Sequence, residues 1–177
     1  SDPFIDDSLR SNVFDYEQDV KAGYAQLAWQ PSNFGFKGGL RYERTEVGGE
    51  YSKELPAFSN AYDNYLPSGT ISYKKGAKYN LKLSYTQRIQ RPGMNFLNPY
   101  VNQSDTFNIS YGNPELEAEL SHAFELGATF FKKFGSITGS AYHRFTNNAI
   151  ESVRFVNAND IYVTTYANIG KNYTTGG

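Results

Sequence analysis

The stretch YNLKLSYTQRIQ, residues 79–90, alternates almost without a break. Tyr79, Leu81, Leu83, Tyr85 and Ile89 share one parity, and Asn80, Lys82, Ser84, Thr86, Arg88 and Gln90 the other. A helix would scatter these residues around its circumference, whereas a β-strand sends successive side chains to opposite faces. FGFKGGLRYERT repeats the pattern, with Phe34, Phe36, Leu40 and Tyr42 opposite Lys37, Arg41, Glu43 and Thr45. Weaker versions follow in YLPSGTISYKK (Tyr65, Ile71, Tyr73), LSHAFELGATF (Leu120, Phe124, Leu126, Phe130), SITGSAYHRF (Ile137, Ala141, Phe145) and DIYVTTYANI (Ile161, Val163). VKAGYAQLAWQ opens the series with less clear facing. The expectation is an all-β chain of about seven or eight strands and essentially no helix. Where regular, the strands are expected to run roughly 10 to 13 residues, against a usual mean of 5 to 6.

The connections alternate in length. QPSN, KKGAK and KKFG read as tight turns, while EVGGEYSKELPAFSNAYDN and the stretch 91–127 read as long loops and NNAIESVRFVNAND as an intermediate one. In an antiparallel up-and-down meander every other connection lies at the same end, so the tight turns collect at one end and the long loops at the other. Outer-membrane barrels have this asymmetry, with strands long enough to cross at a tilt. In that geometry Phe34, Phe36, Leu40, Ile71, Tyr79, Leu81 and Leu83 face lipid, and Lys37, Arg41, Glu43, Lys82 and Arg88 face a wet lumen. Tyr42, Tyr65, Tyr73, Tyr79 and Tyr85 lie toward strand ends, where an aromatic girdle belongs. A mean hydropathy of -0.60 and the lack of a long apolar run exclude a helical membrane span but leave a barrel open. A soluble β-sheet binding or adhesion module, whose apolar face packs as a private core, is the alternative reading.

Charge and composition remove other classes. The formal net charge of -1 comes without a basic stripe, so no nucleic-acid partner is expected. The chain has no cysteine, which removes disulfide frameworks and thiolate metal sites. His122 and His143 are the only histidines, both in strand register with apolar neighbours, and they read as interfacial or packed side chains. The pairs Glu115 with Glu117 and Asp6 with Asp7 lack the ligand spacing of a calcium loop and read as solvated charge. No nucleophile constellation appears, so no catalytic residue, metal site or cofactor is expected and the chain does not read as an enzyme.

The stretch 91–127, RPGMNFLNPY to SHAFELG, holds a run of more than two dozen residues rich in Pro, Asn and Tyr that has no obvious periodicity although it lies between two alternating strands. A loop of that length inside a compact domain is usually functional or disordered. Here resemblance adds to the reading. YTQRIQRPG, then LNP, then GNPELEAEL resemble a recurring segment of the barrel half of TonB-dependent outer-membrane receptors, in the outer-membrane β-barrel protein branch. The residues that carry it are Tyr85, Arg88, Ile89, Arg91 and Pro92, then Leu97, Asn98 and Pro99, then Gly112, Asn113, Pro114, Leu116 and Glu119. FDYEQDVKAGYAQLAWQ, FKGGLRYERTEVGGEY and YLPSGTISYKKGAKYNLKLSY resemble the same family's preceding strands, in the right order, so the similarity covers most of residues 12–146. Glu117 and Ala118 depart from it, standing where relatives often carry Lys-Pro.

The resemblance implies a barrel of about 22 strands around a plug, importing a large nutrient such as a metal chelate or oligosaccharide with energy passed through TonB, in the bacterial outer membrane. Residues 1–177 would be a single segment from the middle of such a barrel, with plug, TonB box and barrel termini outside it. Its partners would be the rest of the receptor, TonB through the plug, outer-membrane lipid and the nutrient. As candidate ligand-binding loop residues we single out Arg88, Arg91, Phe96, Tyr100, Phe107 and Tyr111, because binding residues concentrate on loops and aromatics stack on rings. The competing expectation is that the aromatics pack the loop, and that the charges pair across strands to fix register. A free segment of this kind has unpaired edge strands. It is expected to self-associate through them or to curl until Phe34, Phe36, Leu81 and Leu83 are buried.

Overall fold

The computed structural model describes residues 14–51, 57–105 and 107–177. Nine strands and one helical turn are found among them: β1 (Phe14–Trp29), β2 (Phe34–Tyr51), β3 (Phe58–Lys75), β4 (Tyr79–Gln90), α1 (Met94–Leu97), β5 (Asn102–Asp105), β6 (Asn108–Ser110), β7 (Glu119–Lys132), β8 (Gly135–Val156) and β9 (Tyr162–Gly176). They form one sheet in the order β1-β2-β3-β4-β7-β8-β9-β6-β5. The seven long strands are an antiparallel meander, as the alternation predicts. The exception lies in the long loop, whose strand β6 pairs parallel to β9. Residues 1–13, with Asp6 and Asp7, and residues 52–56 of the β2–β3 connection lie outside the described residues.

Register fixes the faces. Trp29 stands opposite Phe36 and Ala25 opposite Leu40, Phe36 opposite Ile71, and Ile71 opposite Leu83. The row continues through Leu83 and Leu126 to Leu126 and Ala141. This outward band carries no formal charge between a lower ring of Trp29, Phe34, Tyr73, Tyr79 and Phe130 and an upper pair, Tyr42 and Tyr65, whose ring centroids are 5.3 Å apart. From Phe34 to Tyr42 a strand rises about 26 Å at roughly 3.3 Å per residue. Tilted at about 40°, that gives some 20 Å between the two Cα atoms, and the rings at each end bring it close to the ~25 Å lipid band of outer-membrane barrels.

Above Tyr42 the same face turns charged. Lys21 contacts Asp19 at 3.2 Å and Glu46 at 3.7 Å, while Arg44 contacts Glu46 at 2.9 Å and Asp63 at 3.5 Å. Charge of alternating sign on an outward face marks the end of the lipid zone. The tight turns close the other end, where Gly76 supplies the left-handed φ of 53° that a side chain would disfavour.

Two expectations are corrected. Phe34, Phe36, Leu81 and Leu83 are 46%, 38%, 37% and 49% exposed, so the sheet does not curl over them. The concave side is the opposite one, because the loop packs there against β2 and β3 on one flank and β8 and β9 on the other. Much of the two stretches read as loops, residues 46–64 and 147–160, is also strand: β2 runs to Tyr51, β3 starts at Phe58 and β8 has 22 residues. Beyond the membrane neither face need be apolar, so the ladder continues where alternation stops.

Candidate functional site

Residues 91–118 fold onto the concave side at the long-loop end. Their order comes from asparagine. The backbone groups that a strand would pair with its neighbour are taken up here by side-chain amides. The Asn98 Oδ1 accepts from the Tyr100 amide at 2.9 Å, and the Asn113 Nδ2 donates to the Tyr166 carbonyl at 3.0 Å. Asn168 holds Glu117 from both sides, accepting from its amide at 2.9 Å and donating to its carbonyl at 3.0 Å. Asn148 donates to the Ala118 carbonyl at 3.0 Å.

A small apolar centre lies beneath. Leu97 and Leu116 are 2% and 1% exposed, and with Val47 they form a cluster against which Tyr16, Phe58, Tyr62, Ile150 and Tyr166 pack. Gly112 is pressed between backbone strands of the loop: a Cβ there would come within 2.6 Å of the carbonyl oxygens of both Asn98 and Phe96. Those carbonyls are in use, accepting from the Gly112 and Asn113 amides at 2.7 and 2.6 Å. Gly112→Ala is expected to detach the Asn98 and Asn113 arms from each other while leaving the β1–β4 ladder intact. Limited proteolysis that cuts the variant within residues 98–113, with unchanged migration of the folded barrel, is the expected result.

The root of the loop is ionic. Glu43 is 4% and Thr45 0% exposed. Glu43 receives hydrogen bonds from the guanidinium groups of both Arg41 and Arg91, and Arg91 Nε also donates to Thr45 Oγ1 at 3.0 Å. Arg91 therefore reaches past β3 to fasten the loop to β2. Arg88 is separate, exposed on the lumen face of β4 beside Glu125, Arg144 and Thr146, in an open cavity of about 450 Å³. Arg88 has no ion pair among the described residues.

The aromatic candidates also divide. Phe96 stands edge-on to Tyr166 at 4.8 Å. Tyr100 and Tyr111, with Asn95, Asn98, Asn102 and Tyr166, line a cleft of about 220 Å³ that has no charged side chain in its wall. Phe107 is 71% exposed and lies apart, its carbonyl accepting from the Tyr162 amide at 2.9 Å. Beside it the Asp105 carboxylate is held below its usual range by hydrogen bonds from the Phe107 amide and the Asn108 side chain. Glu43 and Thr45 stand on the face the alternation assigns to the lumen, and their contact with Arg91 is a charge pairing across strands of the kind expected, whereas nothing in the alternation singles out Tyr166.

The two histidines lie on the outward face. His122 Nδ1 is 2.9 Å from the Tyr85 hydroxyl and its ring stacks on Phe145 at 4.6 Å. His143 Nδ1 is 2.8 Å from Thr175 Oγ1. Neither belongs to the cleft, and no group of three or more His, Asp or Glu positioned to hold a metal occurs among the described residues.

The profile of the outer membrane protein beta-barrel family matches residues 1–177. Solved structures that share the fold include the following three. A double mutant of the Serratia marcescens hemophore receptor HasR, in complex with its hemophore HasA and heme, superposes with a TM-score of 0.71 at 17% identity, covering 90% of this chain and 31% of that one. The FrpB iron transporter of Neisseria meningitidis gives 0.62 at 14% identity, over 91% and 23%. The siderophore receptor PirA of Pseudomonas aeruginosa gives 0.55 at 16%, over 93% and 39%. The chain thus spans less than two fifths of each of these proteins. No curated protein matches it.

Proposed function

The chain belongs to the outer membrane protein beta-barrel family of the bacterial outer membrane, and from that premise we propose that it is a segment of a TonB-dependent receptor that captures a large nutrient for import. The observation that carries the reading is the placement of the loop. An ordered, polar and aromatic structure is built on the concave side of a lipid-facing wall, at the end away from the tight turns, where a ligand arriving from outside would first meet it. In this reading residues 1–177 form one barrel segment, with plug and barrel termini outside it. Energy reaches the receptor through TonB acting on that plug. The receptors and transporter of like fold, described as taking a hemophore with heme, iron or a siderophore, support a capture role.

The cleft narrows the ligand class. An anionic metal chelate calls for Arg or Lys in the wall, whereas Tyr100, Tyr111 and Tyr166 with three asparagines offer ring faces and amides to a neutral, hydroxyl-rich molecule. We therefore favour an oligosaccharide over a chelate at this cleft. Tyr111→Ala in the complete receptor is expected to lower affinity for a panel of neutral oligosaccharides roughly two- to twelvefold, from the ~0.5–1.5 kcal/mol of an aromatic contact. Isothermal titration against that panel and against ferric siderophores is the test. Oligosaccharide binding unaffected by the substitution would remove the cleft as the site, and siderophore binding lost with it would reverse the choice of class.

A further inference from the structure

The wall is split above the membrane. β3 and β4 pair only from Ser68 with Thr86 down to Lys75 with Tyr79, and the ladder stops beside Pro67, which has no N–H to donate. Above that point β3 keeps its bonds to β2 as far as Phe58. On its other side it faces a slot of about 950 Å³. Every residue from Ala57 to Asn64 lines that slot, although successive side chains of a strand point to opposite faces. What these residues share is the backbone edge.

Three observations make this edge a binding element. A side-chain group of the slot's wall, Asn64 Nδ2, is buried without a hydrogen-bond partner, a costly condition in a native structure. Natural sheets protect an open edge with lysine, proline or a bulge, and between Ser59 and Leu66 there is none of the first two and no register shift against β2. The protein also shows strand addition by a loop elsewhere: β6, out of the 91–118 loop, pairs parallel with β9 at Tyr162–Thr164.

We propose that the upper edge of β3, Asn60–Leu66, is a strand-acceptor site, filled in the complete receptor by an extended segment from another extracellular loop of the same polypeptide. The span is about 20 Å at roughly 3.3 Å per residue, which accommodates a strand of about five or six residues. A segment tethered in the same barrel has the advantage of high effective concentration over a free peptide. Of the acidic residues lining the slot, Asp63 is already taken up by Arg44 and Tyr42, and Glu115 and Glu117 are left to favour an incoming strand that carries Lys or Arg. This inference rests on the reading of the chain as part of a larger barrel.

The experiment is residue-resolved hydrogen exchange on the complete receptor in lipid nanodiscs, with a photo-crosslinking residue placed in turn at Ala61 and Asp63. Alternate amides of β3 face the slot. They are expected to exchange as slowly as those bonded to β2, and the crosslink is expected to fall on the same chain outside residues 1–177 and to move two residues when the probe does. Alternate amides exchanging at least about tenfold faster than their neighbours would overturn the proposal, as would a crosslink to a separate molecule. Heat-modifiable migration of the same sample reports barrel closure independently. An open barrel overturns the receptor reading together with the source assigned here, whereas a closed barrel with fast alternate amides overturns the acceptor site alone.

Discussion

Leu83→Arg is expected to destabilise the folded barrel by about 2–4 kcal/mol, the cost of a guanidinium near the middle of the lipid zone. Leu83 lies in the outward row between Ile71 and Leu126 and is 49% exposed, so in the membrane its contacts are acyl chains. A charge there must thin the bilayer or snorkel past the flanking rows. Ser84, one residue away, faces the open lumen cavity, and Ser84→Arg is expected to change stability by less than about 0.5 kcal/mol. Urea unfolding in phospholipid vesicles measures both. Equal costs at the two positions would mean that the outward face meets neither lipid nor any other apolar medium, and the lipid-facing wall would be wrong.

The second large effect is expected at the root of the loop. Glu43→Ala leaves two guanidinium groups without their carboxylate, one of them on an Arg91 side chain only 21% exposed. Removing one partner of a buried pair costs about 3–5 kcal/mol. We expect the lower end, near 3 kcal/mol, because the Arg41 side chain is 52% exposed and Thr45 still accepts from Arg91. A cycle with Arg91→Ala separates the pair from its parts. A coupling below about 0.5 kcal/mol would reduce the contact to the level of a surface ion pair. Because Arg91 and Thr45 connect the loop to β2, the loss should appear first as exchange at the amides of residues 93–98, ahead of global unfolding.

The membrane-spanning half of the fold is legible in the sequence because lipid enforces alternation. Phe34, Phe36 and Leu40 must face one way and Lys37 and Arg41 the other, and the register bears this out strand after strand. Above Tyr42 and Tyr65 that constraint ends. Gly48, Gly49, Asn60 and Asn64 belong to strands but obey no apolar period, since the inner face there is covered by the polar 91–118 loop and not by lipid or an extended apolar core, and they read as loop. The candidate site is legible only in composition. Its aromatics and arginines stand out, but which of them meet depends on pairings between distant segments. Arg91 finds Glu43, Tyr166 joins Tyr100 and Tyr111, and Arg88 and Phe107 are left apart. The asparagines that set those pairings, Asn98, Asn113, Asn148 and Asn168, look in one dimension like ordinary turn residues.

The parallel pairing of β6 with β9 also imposes an order in time. β1 through β4 are joined by successive antiparallel pairings and can assemble in sequence. Residues 108–110, in contrast, have no partner until residues 162–164 exist as a strand, and Glu117 waits on Asn168. Closures between such distant segments are slow. The loop-bearing inner surface is therefore the last part of this wall to form: a chain arrested before the β8–β9 hairpin would present the outward face of β1 to β7 with the 91–118 loop still unfastened.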